Sequence, residues 1–245
     1  ATNVKGGDEG NYANLNANGT GPFMLGARQS GVKTELVINP NYWRKVKGNI
    51  TKAVFTPIAQ DATRVAALIS GNVHMAYPVP VQDWKRLDDA KGVKPLAGPE
   101  ARTIFLGFDQ LRDELLYSNI KGRNPFKDLR VRQAFIKAIN IDAIKKKVMR
   151  GASVPAGLMV APQINGFNAS LNDRPSYDPK GAKKLLADAG YPDGFEVTMD
   201  CPNNRYVNDE RICQASASML AKIGIKVTLL AQPKSKYFGK VLAQN

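Results

Sequence analysis

Hydrophobic and polar positions along this chain follow two periods, and the switches between them set out its elements. Lys33 to Asn39 is rich in β-branched residues and runs into Asn39-Pro40-Asn41, which predicts a strand and then a turn. Ile50 to Ile58 predicts a second strand. Helical spacing follows: Asp61 caps a segment in which Val65, Leu68 and Ile69 share a face, and Gly71 stops it. Val73 to Tyr77 predicts a short strand. Val81 to Asp89 predicts a helix with Trp84 and Leu87 on one side, and Val93 to Ala97 another short strand. Arg102 to Asp109 reads as an apolar strand long enough to cross between two bodies. Asp128 opens a helix carrying Val131, Phe135 and Ile139. Asp142 opens a second, with Ile144 and Val148, that Gly151 ends. Asp178-Pro179 is an N-cap with proline at the first helical position, for a helix running through Leu185 and Leu186 to Gly190. Phe195–Asp200, Val207–Lys222 and Ile225–Ala231 then read as strand, helix and strand. Such a βαβ unit has parallel strands and a right-handed crossover. Residues 1 to about 20, rich in Asn and Gly, are expected to be loop or edge. Tyr237, Phe238, Val241 and Leu242 are spaced like the start of an amphipathic helix, with no stop signal after it. Alternation of strands and helices throughout places the chain in the α/β class.

Composition narrows the chemistry. A length of 245 residues corresponds to roughly one to two domains. No run approaches the ~20 apolar residues of a membrane span. Lys and Arg total 35 against 21 Asp and Glu, a net charge of +14. That excess raises nucleic acid as a partner, but its distribution argues against one. The densest cluster, Lys145, Lys146, Lys147 and Arg150, falls in the last turns before Gly151, where cations meet the negative end of a helix. No aromatic residues interleave with it as they do in RNA-binding strands.

Catalytic patterns are missing from the sequence. Gly19-Thr20-Gly21-Pro22 lacks the third glycine of a dinucleotide loop, and Pro22 has no amide to offer a phosphate. His74 is the single histidine, set in a predicted strand without a carboxylate to orient it. It reads as structural. These features point away from an enzyme, and neither a metal nor a cofactor is expected. Trp43 reads as core and Trp84 as surface cover. The covalent signal is Cys201 with Cys213, one at the end of a predicted strand and one inside the following helix. In an oxidising compartment the pair reads as a disulfide pinning the intervening loop, and otherwise as two buried thiols.

Several phrases occur in an order that resembles a known family. Gly19-Thr20-Gly21-Pro22-Phe23 and Asn39-Pro40-Asn41-Tyr42-Trp43 come first. Arg64 to Gly71 follows, then Pro125-Phe126-Lys127-Asp128-Leu129-Arg130-Val131-Arg132-Gln133-Ala134. Tyr177-Asp178-Pro179, Ala182 to Tyr191 and Ile223 to Val227 complete the order. Together they are similar to the extracellular solute-binding proteins, family 5, the dipeptide- and oligopeptide-binding components of ABC importers. One departure is His74, where the family pattern after Ser70-Gly71 carries Asp.

This resemblance implies a periplasmic binding protein type II-like fold of two lobes around a cleft, here incomplete. Residues 1–100 would be the middle segment of lobe I and residues 101–245 a truncated lobe II. The implied partners are a peptide or other small solute and a membrane-embedded ABC permease, with no nucleic acid. The implied location is the periplasm, or the cell exterior on a membrane tether. Nickel complexes, haem, sugars and opines are the alternative ligands. Ligand-facing residues are expected on the crossing strand, where Phe105, Gly107 and Asp109 share a face at period two. They are also expected on the loop after Phe195–Asp200, at Asn203, Arg205 and Tyr206. By resemblance, Asn203 matches an Asn that contacts the peptide backbone.

Overall fold

A computed structural model describes residues 12–244, which divide into two compact units between Ala76 and Tyr77. In the first unit a short helix, α1 (Tyr12–Leu15), precedes an antiparallel sheet in the order β1 (Phe23–Gln29), β2 (Lys33–Ile38) and β3 (Lys52–Phe55). The β1 strand was not anticipated, because Gly26 breaks its alternation. The ladder shifts register between Leu25 and Ala27, a bulge at that glycine. A Cβ there would lie 3.2 Å from Val37 Cγ1. Glu35 at the sheet centre binds Lys33 and Lys52, both at 2.7 Å. The hydrogen bond from Lys33, seconded by that from Lys52, pulls its pKa down to about 2.

Helix α2 (Asp61–Ile69) forms where the spacing placed it, with Val65 buried. Asp61 is its first residue rather than its cap. Its carboxylate pairs with Arg64, whose guanidinium also donates to the Ile58 carbonyl at 2.8 Å. No strand forms at Val73–Tyr77. The Val73 amide turns back onto the Ala67 carbonyl at the end of α2, so the chain wraps the helix end instead. His74 is exposed, outside any strand. Trp43 is 66% exposed with the Arg44 guanidinium over its ring, which corrects its reading as core.

The second unit is organised by the predicted βαβ motif. Strands β4 (Phe195–Pro202) and β5 (Ile225–Gln232) pair in parallel, in register from Phe195↔Ile225 to Pro202↔Gln232. The crossover contains α7 (Asp209–Ala221). Gly194 and Gly224 lie back to back just before the two strands, both with positive φ. A Cβ on Gly194 would overlap the Gly224 carbonyl, and one on Gly224 would lie 2.8 Å from the Asp193 oxygen. Only glycine permits that approach. On its other edge β4 is covered by residues 117–119. Thr198 donates its amide to the Tyr117 carbonyl, and Ser118 Oγ donates to the Glu196 carbonyl.

Helices α4 (Leu129–Ala138) and α6 (Pro179–Asp188) pack together and bury Val131, Ala134, Phe135, Ala182 and Leu186 in one cluster with Phe195, Leu220 and Ile225. Phe108, Phe126, Phe135, Phe195 and Tyr191 stack edge-to-face or tilted, with centroids 4.8 to 6.4 Å apart. Asp128 caps α4 at the Arg130 amide, and Asp178 caps α6 at the Gly181 amide. The second predicted helix begins two residues earlier than expected. Asn140, not Asp142, caps α5 (Ile141–Ala143), which widens into a π-turn over Ile144–Val148. Near the unit's start lies α3 (Trp84–Asp88), with Leu87 buried. At the C-terminal side α8 (Lys234–Leu242) is the amphipathic helix signalled by Tyr237 and Val241.

Two other predicted strands are not strands. Val93–Ala97 has no ladder, and its Leu96 is 87% exposed. In Arg102–Asp109, Phe108 packs on the core while Ile104 and Phe105 are exposed. No neighbouring strand pairs with its backbone among the described residues, and an apolar run without a ladder partner is not a strand.

Two consequences are measurable in the second unit. Gly224→Ala should lower its unfolding free energy by about 2–3 kcal/mol, from left-handed strain plus overlap. Gly122→Ala, also at positive φ but with nothing within 4 Å, should cost about 1 kcal/mol. Denaturant midpoints of the two variants will rank them.

The second consequence is acid sensitivity. Hydrogen bonds from the Arg130 side chain and amide hold Asp128 below its ordinary 3.8. The Gly181 amide does the same for Asp178. A depressed folded pKa gives stability that is present above the unfolded value and lost as pH falls through the folded one. Stability should therefore decline below about pH 4, and Asp128→Ala with Asp178→Ala should flatten that acid limb while lowering stability at neutral pH through the lost caps. Unfolding curves taken from pH 7 to pH 2 check both.

Candidate functional site

The candidate site lies where α/β folds commonly hold ligands, beyond the carboxyl ends of parallel strands. Strand β4 ends at Cys201 and Pro202, and residues 203–208 lead into α7. Each part of that loop is tied down. The Asn203 amide donates to the Gln232 carbonyl at the end of β5, at 3.0 Å. Asn204 Oδ1 accepts the Lys234 amide at 2.7 Å and so caps α8 from outside that helix. Asp209, 6% exposed, accepts the amides of Arg205 and Tyr206 at 2.9 and 3.0 Å. Cys201 and Cys213 are joined by a disulfide with Cα atoms 6.6 Å apart, which closes the loop against α7.

This scaffold holds a cationic and aromatic surface. The Tyr206 ring carries two guanidiniums, Arg205 at 4.9 Å and Arg102 at 5.2 Å. Among the described residues no carboxylate pairs with Arg205, whereas Arg102 binds Glu100 at 2.8 Å. Alongside, Lys240 of α8 binds both Asp200 oxygens, at 2.9 and 3.0 Å, and sits over the Tyr117 ring at 4.3 Å. Burial, then the neighbouring Tyr206 and the Asp200 charge, push the Tyr237 hydroxyl above its ordinary pKa.

Of the six residues expected from the sequence, Arg205 and Tyr206 meet each other, and the start of the 102–109 segment reaches them through Arg102. Asn203 is exposed beside them. Phe105 is 59% exposed, and Gly107 lies next to its ring. No hydrogen bond, ion pair or ring contact joins Phe105 or Gly107 to the loop among the described residues. Asp109 is engaged locally. It accepts the Leu111 and Arg112 amides at 3.1 and 3.2 Å and pairs with the Arg112 guanidinium. Burial works to raise its pKa, but the bonds from Arg112 outweigh it and hold the carboxyl below its ordinary value. The backbone carbonyl of Asp109 accepts from Asn124, which also caps the turn at Phe126.

The sequence reading missed the supports: Asn204, Asn208, Asp209, and the Asp200–Lys240 pair. A signal existed only for Asp209, which follows a loop and opens a helix as an acidic first residue. Among the described residues no group of three or more His, Cys, Asp or Glu gathers as a metal site, and no helix is long and apolar enough to cross a membrane.

A parallel pair with a polar, cationic loop at its carboxyl end describes a binding module, and comparison with known proteins specifies it. The family model of bacterial extracellular solute-binding proteins, family 5, in its middle region, matches residues 2–245. The chain belongs to that family. It is 29% identical over 213 residues to the glutathione-binding protein GsiB of Salmonella choleraesuis (strain SC-B67), covering 87% of this chain and 39% of that one. The chain thus spans about two fifths of the length of this relative. Among solved structures it is similar to the binding protein AgaA of A. tumefaciens R10 in complex with agropinic acid. That match has 28% identity and a TM-score of 0.71, over 91% of this chain and 43% of that one. It is likewise similar to the periplasmic binding protein DppA of Helicobacter pylori in complex with the peptide STSA. There identity is 26% and the TM-score 0.69, over 91% and 40%. The α/β fold is that of the periplasmic binding proteins, present here in part.

The disulfide is the support most open to measurement. Removing it with Cys201→Ser and Cys213→Ser should cost about 3 kcal/mol on the chain-entropy model for a loop of this size. Denaturant midpoints of the oxidised chain and the double variant give the difference. Thiol titration of the unreduced, denatured chain should find no free thiol.

Proposed function

We propose that this chain is part of an extracytoplasmic solute-binding protein that captures a peptide and delivers it to a membrane-embedded ABC permease. It performs no catalysis and acts in the periplasm or on the cell exterior. In this reading the chain contributes to both lobes, and ligand held between the lobes favours closure. The observation that carries the reading is the loop at the carboxyl end of β4. It presents Asn203 and an uncommitted Arg205 guanidinium on a Tyr206 platform, within a chain matched along its length by the family model. An amide side chain suits a peptide backbone, and a guanidinium suits a terminal carboxylate bidentately. The relatives point the same way, since one is named for glutathione and another holds a tetrapeptide.

A second reading has one observation in its favour. The similar AgaA structure holds agropinic acid, so an opine carrying a carboxylate is the alternative solute.

Amide chemical shifts of the 245-residue chain, titrated at millimolar levels with glutathione, a tetrapeptide and agropinic acid, test this. We expect binding weaker than micromolar, with shifts confined to Asn203–Tyr206 and Arg102–Asp109, larger for peptides and removed by Arg205→Ala. Shifts with agropinic acid alone would transfer the assignment to opines. Absence of shifts with every solute, or insensitivity to Arg205→Ala, would overturn the proposal.

A further inference from the structure

Asn208 closes the candidate loop with its backbone in the left-handed region, at φ 56. Asparagine is among the few residues other than glycine that tolerate this conformation. It stands at the N-cap position of α7, where an Asn side chain ordinarily accepts an amide of the first turn. Here it does not. Its Oδ1 accepts from Gln82 Nε2 at 3.0 Å, and its Nδ2 donates to the Val148 carbonyl at 2.9 Å. Val148 is the last residue of the π-turn after α5. Loop amides are served instead by the buried Asp209 carboxylate.

The remaining hydrogen bonds of the loop run to β5, α7 and α8, its neighbours in the chain. Among the described residues, only those of Asn208 leave that run. They reach two segments lying 126 and 60 positions earlier in sequence. A strained backbone angle and a side chain diverted from its usual partner are both maintained, and together they identify a tether.

We propose that Asn208 is a positioning residue for the solute site. Its carboxamide anchors residues 203–207 to the Gln82 and Val148 segments, so that Asn203, Arg205 and Tyr206 meet the solute in one fixed geometry rather than a mobile one. Preorganisation of this kind lowers the ordering cost of binding. The proposal rests on the reading of this loop as a solute contact.

Three variants separate the elements. Asn208→Gly keeps the left-handed backbone and removes both hydrogen bonds. Asn208→Asp keeps the acceptor for Gln82 and removes the donor to Val148. Gln82→Ala removes the other bond alone. Hydrogen exchange of amides 204–207 and of β4 and β5, and the half-saturation concentration for glutathione, are measured on each. In Asn208→Gly the loop amides should exchange roughly tenfold faster and half-saturation should rise roughly tenfold, with β4 and β5 unchanged. The other two variants should fall between it and the parent. Unchanged loop exchange in Asn208→Gly would overturn the proposal. So would equal acceleration in β4 and β5, which would make Asn208 a general stability residue. If the parent chain binds neither peptide nor opine, the solute reading fails, while the exchange rates still decide whether Asn208 is the anchor.

Discussion

Two parallel strands cannot hold each other. Their ladder is less favourable per residue than an antiparallel one, and a pair alone has two faces and two edges to protect. Everything in the second unit answers that constraint for β4 and β5. Helix α7 supplies the crossover, α4 and α6 build the adjoining core, and residues 117–119 take up hydrogen bonds on the far edge of β4. The glycine pair 194 and 224 lets the two strands start side by side, which sets the register along their whole length. Fixing the amino ends in this way also fixes where the carboxyl ends stop, and the candidate site is built there.

The site therefore inherits its geometry from the sheet. Asn203 bonds directly to the end of β5, and Asn204 caps the helix that follows β5. Lys240 on that helix returns to Asp200 on β4. These links form a closed circuit of short contacts among β4, its loop, β5 and α8. A guanidinium on such a loop loses little freedom when it meets a carboxylate, which is how a few exposed polar groups can give useful affinity in wet surroundings.

Much of this was legible in the residues, for identifiable reasons. Periodicity found α2, α4, α6, α7, β2, β4 and β5, because each has several apolar positions on one face and a Gly, Pro or Asp at its end. It missed β1, where Gly26 replaces a side chain at the bulge. It predicted a strand at Arg102–Asp109 because an apolar run shows that a segment can pack on the core but not whether a neighbouring backbone exists to pair with. At the site, the expected residues divide by what each of them contacts. Arg205 and Tyr206 do converge, and Asp109 turned out to be held by Arg112. The supports escaped because their roles depend on contacts distant in sequence. Nothing around Asn208 indicates Gln82, and nothing around Asn204 indicates an α8 amide.

The disulfide has a consequence for the order of assembly. Cys201 and Cys213 are twelve positions apart, whereas the ladder partner of β4 begins only at Ile225. A chain emerging amino end first can therefore close the bridge before β5 is available. The loop would then be folded back toward the first turns of α7 while β4 still has an open edge. An oxidising compartment would in this way act as a template as well as a lock, and a chain made in a reducing one would have to find the same loop by sheet pairing alone.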